Sequence, residues 1–264
     1  MTNISHKKGV VSMNNREIYQ ITLDDTHITF GFDEKEITNQ LEEVKTSIVN
    51  KNKTKSKNET KKKGSHRPVY PLKDIDTIQM VKEYFLTRPE RYKGTNILRY
   101  TLFCFGINQV LRVSDICQIS IDDVVNPDGT IKDYLIVYQE QKTNKRNVIK
   151  LNNSIKEVLV PYLEYRKREG TYSTDNYLFL SRNNTPMTRY SVWSYMKEAE
   201  EQLSLEFPLG SHSLRKTCAY HMWENGTDVY TVSNALNHSS LKDTKRYLMI
   251  NEDEIGVAYD NNCL

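Results

Sequence analysis

The chain has 264 residues, of which 38% are hydrophobic, and a mean hydropathy of −0.67. That length suits one large domain, or a domain of about 200 residues with an appendage. No apolar run approaches the roughly 20 residues of a membrane helix, and the opening MTNISHKKGVVSMNN lacks the apolar core of a secretory signal. The balance of 37 Lys+Arg against 34 Asp+Glu gives +3, too mild by itself to argue for a polyanionic partner.

Its distribution says more. KNKTKSKNETKKKGSHR carries Lys51, Lys53, Lys55, Lys57, Lys61, Lys62, Lys63 and Arg67 against one acid, Glu59, while the final stretch NEDEIGVAYDNNCL has no basic residue. A block like the first reads either as a solvated linker or as a polyanion contact. Cys104, Cys117, Cys218 and Cys263 show neither CxxC spacing nor a disulfide framework, so a reducing, cytoplasmic compartment is expected.

In chain order, REIYQITLDDTHITFGF alternates apolar and polar residues about a DDT turn and predicts a hairpin over 16–32. DEKEITNQLEEVKTSIV places Ile37, Leu41, Val44 and Ile48 at helical spacing and predicts one helix. This divides the chain into an appendage over 1–49, a lysine-rich linker over 50–66 and a main body over 67–264. In the main body Asp74 is the expected cap of IDTIQMVKEYFLTR, and Thr95 opens the more apolar helix NILRYTLFCFGINQ. RVSDICQI predicts a short helical turn, and NPDG a chain reversal leading into the strand DYLIVYQE. KTNK is the tight connection to the returning strand RNVIKL. A helix follows from Asn153 to about Arg168, with Pro161 expected to kink or split it. NYLFLS predicts a short strand, and Thr188 caps RYSVWSYMKEAEEQL. The class is therefore mostly α with a small β-sheet (α+β).

HSLRKTCAYHMWENG, residues 212–226, has Ser211 as the possible cap and Gly226 at the helix end. His212 and Arg215 share a face at i,i+3, with Leu214, Cys218, Ala219 and Met222 expected on the opposite, core side. Two basic groups at the positive end of a helix dipole are unfavourable unless an anion sits there, and imidazole, guanidinium and free N–H groups together suit a phosphate. TDVYTVSNALNHSSLKDTKRYL then predicts helix, turn, helix, the first started by Thr227 or Asp228 and the second capped by Ser240 with Asp243. His238 falls in the turn. Tyr247 lies about two turns into the second helix beside Lys245 and Arg246, a setting that fits either packing or DNA contact.

This C-terminal stretch resembles the signature of the tyrosine recombinases (phage-type integrases). The matching positions are His212, Leu214, Arg215, Asn225, Gly226, His238 and Tyr247. LRVSDICQISIDDV resembles the family's first arginine motif, with Arg112 at the catalytic position and Asp115 as the supporting acid. QKTNKRNVIKL resembles the hairpin bearing the catalytic lysine, which maps to Lys142, with Lys145 as the other candidate. The likeness covers about residues 69 to 250 and implies the recombinase catalytic-domain fold. It implies a site-specific DNA recombinase working through a covalent 3′-phosphotyrosyl intermediate, in DNA integration, excision or inversion. A DNA-binding regulator without turnover and a type IB topoisomerase-like enzyme are the alternatives.

The expected catalytic set is Arg112, Lys142, His212, Arg215, His238 and Tyr247. Two guanidiniums suit the non-bridging oxygens of a phosphodiester under attack, Tyr247 is the nucleophile, His212 assists its proton transfer or holds the phosphate, and Lys142 protonates the leaving 5′ oxygen. His238 binds the phosphate. Lys145, Arg146, Lys216, Lys245 and Arg246 are candidate DNA contacts. No metal and no cofactor are called for, and the histidines and cysteines lack zinc spacing. The expected partners are double-stranded DNA and further copies of the chain, as dimers and tetramers on DNA, with no membrane. The layout before the match resembles compact family members without a separate core-binding domain. Asn237 and Lys216 stand where the family usually has glycine and commonly histidine.

Overall fold

The computed structural model describes residues 19–23, 26–30, 68–90, 92–142 and 144–249. The chain divides into two units, Met1–Lys61 and Lys62–Leu264. In the first, strands β1 (Tyr19–Leu23) and β2 (Thr26–Phe30) pair antiparallel, Tyr19 opposite Phe30 and Leu23 opposite Thr26. This is the hairpin expected around DDT. The helix expected over 33–49, the lysine-rich run and the tail beyond Met249 lie outside the described residues.

The second unit is mostly helical. Asp74 accepts from the Thr77 N–H and caps α1 (Ile75–Thr87). Helix α2 (Thr95–Ile107) is buried along most of its length, including Leu102, Phe103, Cys104, Phe105 and Ile107, and forms the centre of the core. Gly94, at φ 79, is its cap residue, so Thr95 is the first helical position instead. Short helices α3 (Val113–Ile116) and α4 (Ile121–Val124) follow, then strands β3 (Tyr134–Val137) and β4 (Asn147–Lys150), which pair antiparallel with Leu135 opposite Ile149. Leu135 and Ile149 are buried while Tyr134 and Val148 are exposed, the alternation of a sheet with one dry face.

Helix α5 (Asn153–Arg168) continues through Pro161 unbroken. The carbonyl that Pro161 leaves without its helical donor is that of Glu157, four residues earlier and exposed. Water can take it, while Ile155, Leu159 and Tyr162 hold the helix against the core. NYLFLS does not form a strand. Its backbone bonds Ile119 and Ile121 on one side (Leu178 N to Ile119 O, 2.7 Å) and Thr185 and Met187 on the other (Met187 N to Phe179 O, 3.0 Å). Each pairing is too short for a ladder, leaving isolated bridges. Phe179 stacks on Tyr162 at 5.8 Å and meets Phe105 edge-on at 5.7 Å, within the range of favourable ring pairs.

Helix α6 (Arg189–Gln202) is capped by Thr188, whose hydroxyl accepts from the Ser191 N–H. Helices α7 (Ser211–Glu224), α8 (Val229–Ala235) and α9 (Leu241–Leu248) complete the unit. Helix α7 sits very close to α2, since a Cβ on Gly106 would lie 2.7 Å from Leu214 Cδ1. Glycine there lets α2 and the Leu214 side chain of α7 approach this closely. No helix among the described residues is long and apolar enough to cross a membrane.

Candidate active site

Four pieces of chain far apart in sequence supply the site. Arg112 is the cap residue of α3, and its Nη1 donates to Glu140 Oε2 at 2.6 Å. Asp115, one turn on, accepts the Gln141 N–H at 2.9 Å. It thereby ties α3 to the turn bearing Lys142. Burial pushes the Asp115 carboxyl up, partly offset by that amide. The β3–β4 connection is closed by Glu140 N to Lys145 O at 3.0 Å and Asn144 N to Glu140 O at 2.9 Å, with Asn144 at φ 54. Lys142 is exposed at its edge.

Glu140 is fully buried. Besides Arg112 it accepts from Asn147 Nδ2 at 2.9 Å and Asn237 Nδ2 at 3.1 Å. Asn237 adopts φ 51, the left-handed conformation for which glycine is the usual residue and asparagine the best substitute. Its amide joins the α8–α9 turn to the hairpin. Glu140 therefore links α3, the hairpin and the turn that presents His238.

At the head of α7, Gly210 is the cap residue and Ser211 the first helical position, one residue from the expected cap. A Cβ on Gly210 would lie 2.9 Å from Val69 Cγ1, so glycine lets the Val69 segment approach. Lys216 Nζ donates to the Val69 carbonyl at 2.9 Å. Leu214 and Ala219 are buried as expected, whereas Cys218 and Met222 are only half-buried. Arg215 does not lie on a solvent face. It is buried, and its Nη2 donates to the carbonyl of Leu236. His212 stays exposed. Desolvation, then Arg215, Arg189, Lys216 and Lys142, hold its imidazole below the usual histidine value.

His238 Nδ1 shares a 3.0 Å hydrogen bond with the Thr244 hydroxyl, which leaves Nε2 for another partner. Its ring meets Tyr247 edge-on at 5.1 Å, and Lys216 Nζ lies 5.2 Å from the centre of the Tyr247 ring. Burial pushes the Tyr247 phenol up to about 12, against the pull of Arg215 and Arg112. Tyr247 Oη and Arg215 Nη1 are both buried without a hydrogen-bond partner.

One cavity of about 350 Å³ is lined by Arg112, Lys142, His212, Arg215, His238 and Tyr247, together with Lys216, Asp243 and Arg246. All six residues expected to be catalytic thus meet in one place. Of the expected DNA contacts, Lys216 and Arg246 reach the cavity, whereas Lys145, Arg146 and Lys245 are exposed outside its lining. Sequence reasoning missed Glu140, Asp243 and Arg189. A lone acid two residues before Lys142 in an otherwise basic hairpin was the signal for Glu140. Arg189 was signalled by a cation in the first turn of a helix, the same oddity that marked His212 and Arg215. Among the described residues no cluster of three His, Cys, Asp or Glu side chains is placed to hold a metal ion.

The phage integrase family model matches residues 80–254. A Bacillus subtilis (strain 168) protein described as "Probable integrase/recombinase YoeC" is 36% identical over 192 residues, covering 72% of this chain and 95% of that one. The tyrosine recombinase XerD of Staphylococcus haemolyticus (strain JCSC1435) is 30% identical over 186 residues, covering 70% of this chain and 59% of that one. Among solved structures, the XerA recombinase superposes with a TM-score of 0.59 at 21% identity, over 76% of this chain and 67% of that one. The XerH site-specific recombinase in its post-cleavage complex with a palindromic difH substrate gives 0.58 at 17% identity, over 86% and 69%. At those identities the two structures speak for the fold, while the family model and the Bacillus relative speak for descent: the chain belongs to the phage integrase family, the tyrosine recombinases.

Proposed function

We propose that the protein is a site-specific DNA recombinase that cleaves and rejoins strands through a 3′-phosphotyrosyl bond to Tyr247. The supporting observation is the cavity in which Arg112, Lys142, His212, Arg215 and His238 surround Tyr247, with Arg215 Nη1 and Tyr247 Oη buried and unpaired. Buried polar atoms are nearly always satisfied. A phosphodiester in this cavity would accept from Arg215 and receive the phenol hydrogen before reaction.

The chemistry follows from the side chains. Tyr247 Oη attacks phosphorus, its proton leaves, and the bond from phosphorus to the 5′ oxygen breaks. Arg112 and Arg215 offset the charge that builds on the non-bridging oxygens, and His238 adds a hydrogen bond. His212, held below its usual pKa, is an uncharged imidazole at neutral pH and can take the phenol proton. That Lys142 lines the cavity and Lys145 does not favours Lys142 as the acid for the departing oxygen. The phosphotyrosyl bond conserves the energy of the broken ester, so rejoining is the same steps reversed.

The substrate in this reading is double-stranded DNA. Joining four strand ends requires four such sites, so we take the active form to be dimers on each DNA site that pair as a tetramer. The lysine-rich run over 50–66 then adds backbone grip to the catalytic body over 67–264.

The direct test is incubation with nicked duplexes made from the DNA flanking its gene, followed by denaturing gels. A covalent protein–DNA adduct is expected, and its absence across all flanking duplexes would reject the assignment. Lys142→Ala is expected to slow cleavage by about 10²- to 10⁴-fold, the usual span for a general acid, and Lys145→Ala far less. A duplex with sulfur in place of the bridging 5′ oxygen needs no acid, so it should restore Lys142→Ala to near the parent rate. If instead Lys145→Ala is the variant rescued, the roles are reversed.

A further inference from the structure

Arg112, Lys142 and His212 line the cavity that holds Tyr247, and they also line a second concavity, about 400 Å³, with Arg189, Ser211, Ser114 and Gln141. Arg189 is the first residue of α6 and exposed. Its guanidinium has no hydrogen bond or ion pair among the described residues. It lies near enough to His212 to help hold that imidazole below its usual pKa. A cation in the first turn of a helix works against the helix dipole, so Arg189 is not there to stabilise α6. No acid lines this second space, whereas Asp243 lines the first. Three cations, two serine hydroxyls and an imidazole make a site for an anion.

Because the two concavities share Arg112, Lys142 and His212, they adjoin, and a ligand that fills both is continuous and carries negative charge at intervals. A nucleic-acid strand fits that description. We propose that Arg189 heads a second phosphate subsite, which binds a non-scissile phosphate next to the one Tyr247 attacks, on the same DNA strand. The proposal rests on the recombinase reading above. The guanidinium fork can grip two phosphate oxygens at once. Seating the neighbouring phosphate fixes the strand, and so the line of attack at the scissile phosphorus. The contact is to backbone, so it adds affinity without reading sequence.

The test compares the full chain with Arg189→Ala and Arg189→Lys on two unrelated 30-base-pair duplexes, by fluorescence anisotropy over a salt series. Each phosphate contact contributes about 0.9 to the slope of log affinity against log salt. Arg189→Ala is therefore expected to lose close to one unit of slope on both duplexes, and Arg189→Lys to keep it. Once adduct formation has mapped the cut, a methylphosphonate is placed at each phosphate beside it. One such position should slow cleavage by the parent and cause no further loss in Arg189→Ala. An adduct from the parent, with equal slopes for parent and Arg189→Ala, overturns the subsite alone. No adduct from the parent overturns the recombinase reading, and the subsite with it.

Discussion

Tyr247→Phe is expected to bind duplex DNA as the parent does and to form no covalent adduct. The substitution removes one oxygen, and in the proposed reaction that oxygen is the only atom that attacks phosphorus. Little else should change. The edge-on contact of the ring with His238 is kept, and the lost hydroxyl is buried without a hydrogen-bond partner. Deleting a polar group that makes no bond costs no stability, so the variant should unfold at the same urea concentration or a higher one.

The two proteins should differ in alkali. The folded phenol titrates at about 12, above the roughly 10 of an unfolded chain. Between those values the unfolded state sheds a proton that the folded state keeps, so this contribution is complete below pH 10 and lost as pH rises toward 12. The Phe variant lacks that contribution and should lose less stability between pH 10 and pH 12. An adduct formed by Tyr247→Phe would assign the nucleophile to another residue.

Glu140→Ala is expected to cost both stability and rate. The carboxylate is fully buried and serves Arg112, Asn147 and Asn237 at once. Removing one partner of a buried ion pair typically costs about 3–5 kcal/mol, because the other charge is left without compensation. Arg112 keeps some contact with solvent, which places the expected loss at the lower end. The rate should fall by on the order of 10²-fold, the scale for losing one aligned charge-stabilising donor. Arg112 would no longer be aimed, and the turn presenting His238 would lose its tie to the hairpin. Glu140→Gln retains an oxygen for the two asparagine amides but turns an amino group, or a neutral oxygen, toward Arg112. It should recover much of the stability and less of the rate. Urea melts and single-turnover cleavage read the two effects separately; a Glu140→Ala protein with parental values in both would remove Glu140 from the site.

Much of the fold was legible because its signals are local. Asp74, Thr188 and Asp228 each accept a backbone N–H from three residues on, a bond that a short polar side chain at a helix start makes whatever lies around it. The alternation of β3 and β4 and the residue types of their connection have the same local character. NYLFLS forms no strand and Pro161 does not split its helix, because both outcomes depend on neighbours. The first is as apolar as a buried strand but finds only brief partners on either side, and the second is held by the packing of α5 despite its missing donor.

The sequence by itself determined the family and the groups offered to the proposed chemistry: two arginines, two histidines, a hairpin lysine and a tyrosine, in the family's order. Only the tertiary structure decided how those groups are charged and aimed. Glu140 meets Arg112 across 28 positions and Asn237 across 97, and nothing local in either stretch marks that acid as buried. Arg215 lies in the interior and meets the Leu236 carbonyl across 21 positions. Arg189 stands beside His212 because the start of α6 is brought to the head of α7. Burial and the pairing of charges are properties of segments brought together, and they set the pKa values and the orientation on which the proposed chemistry runs.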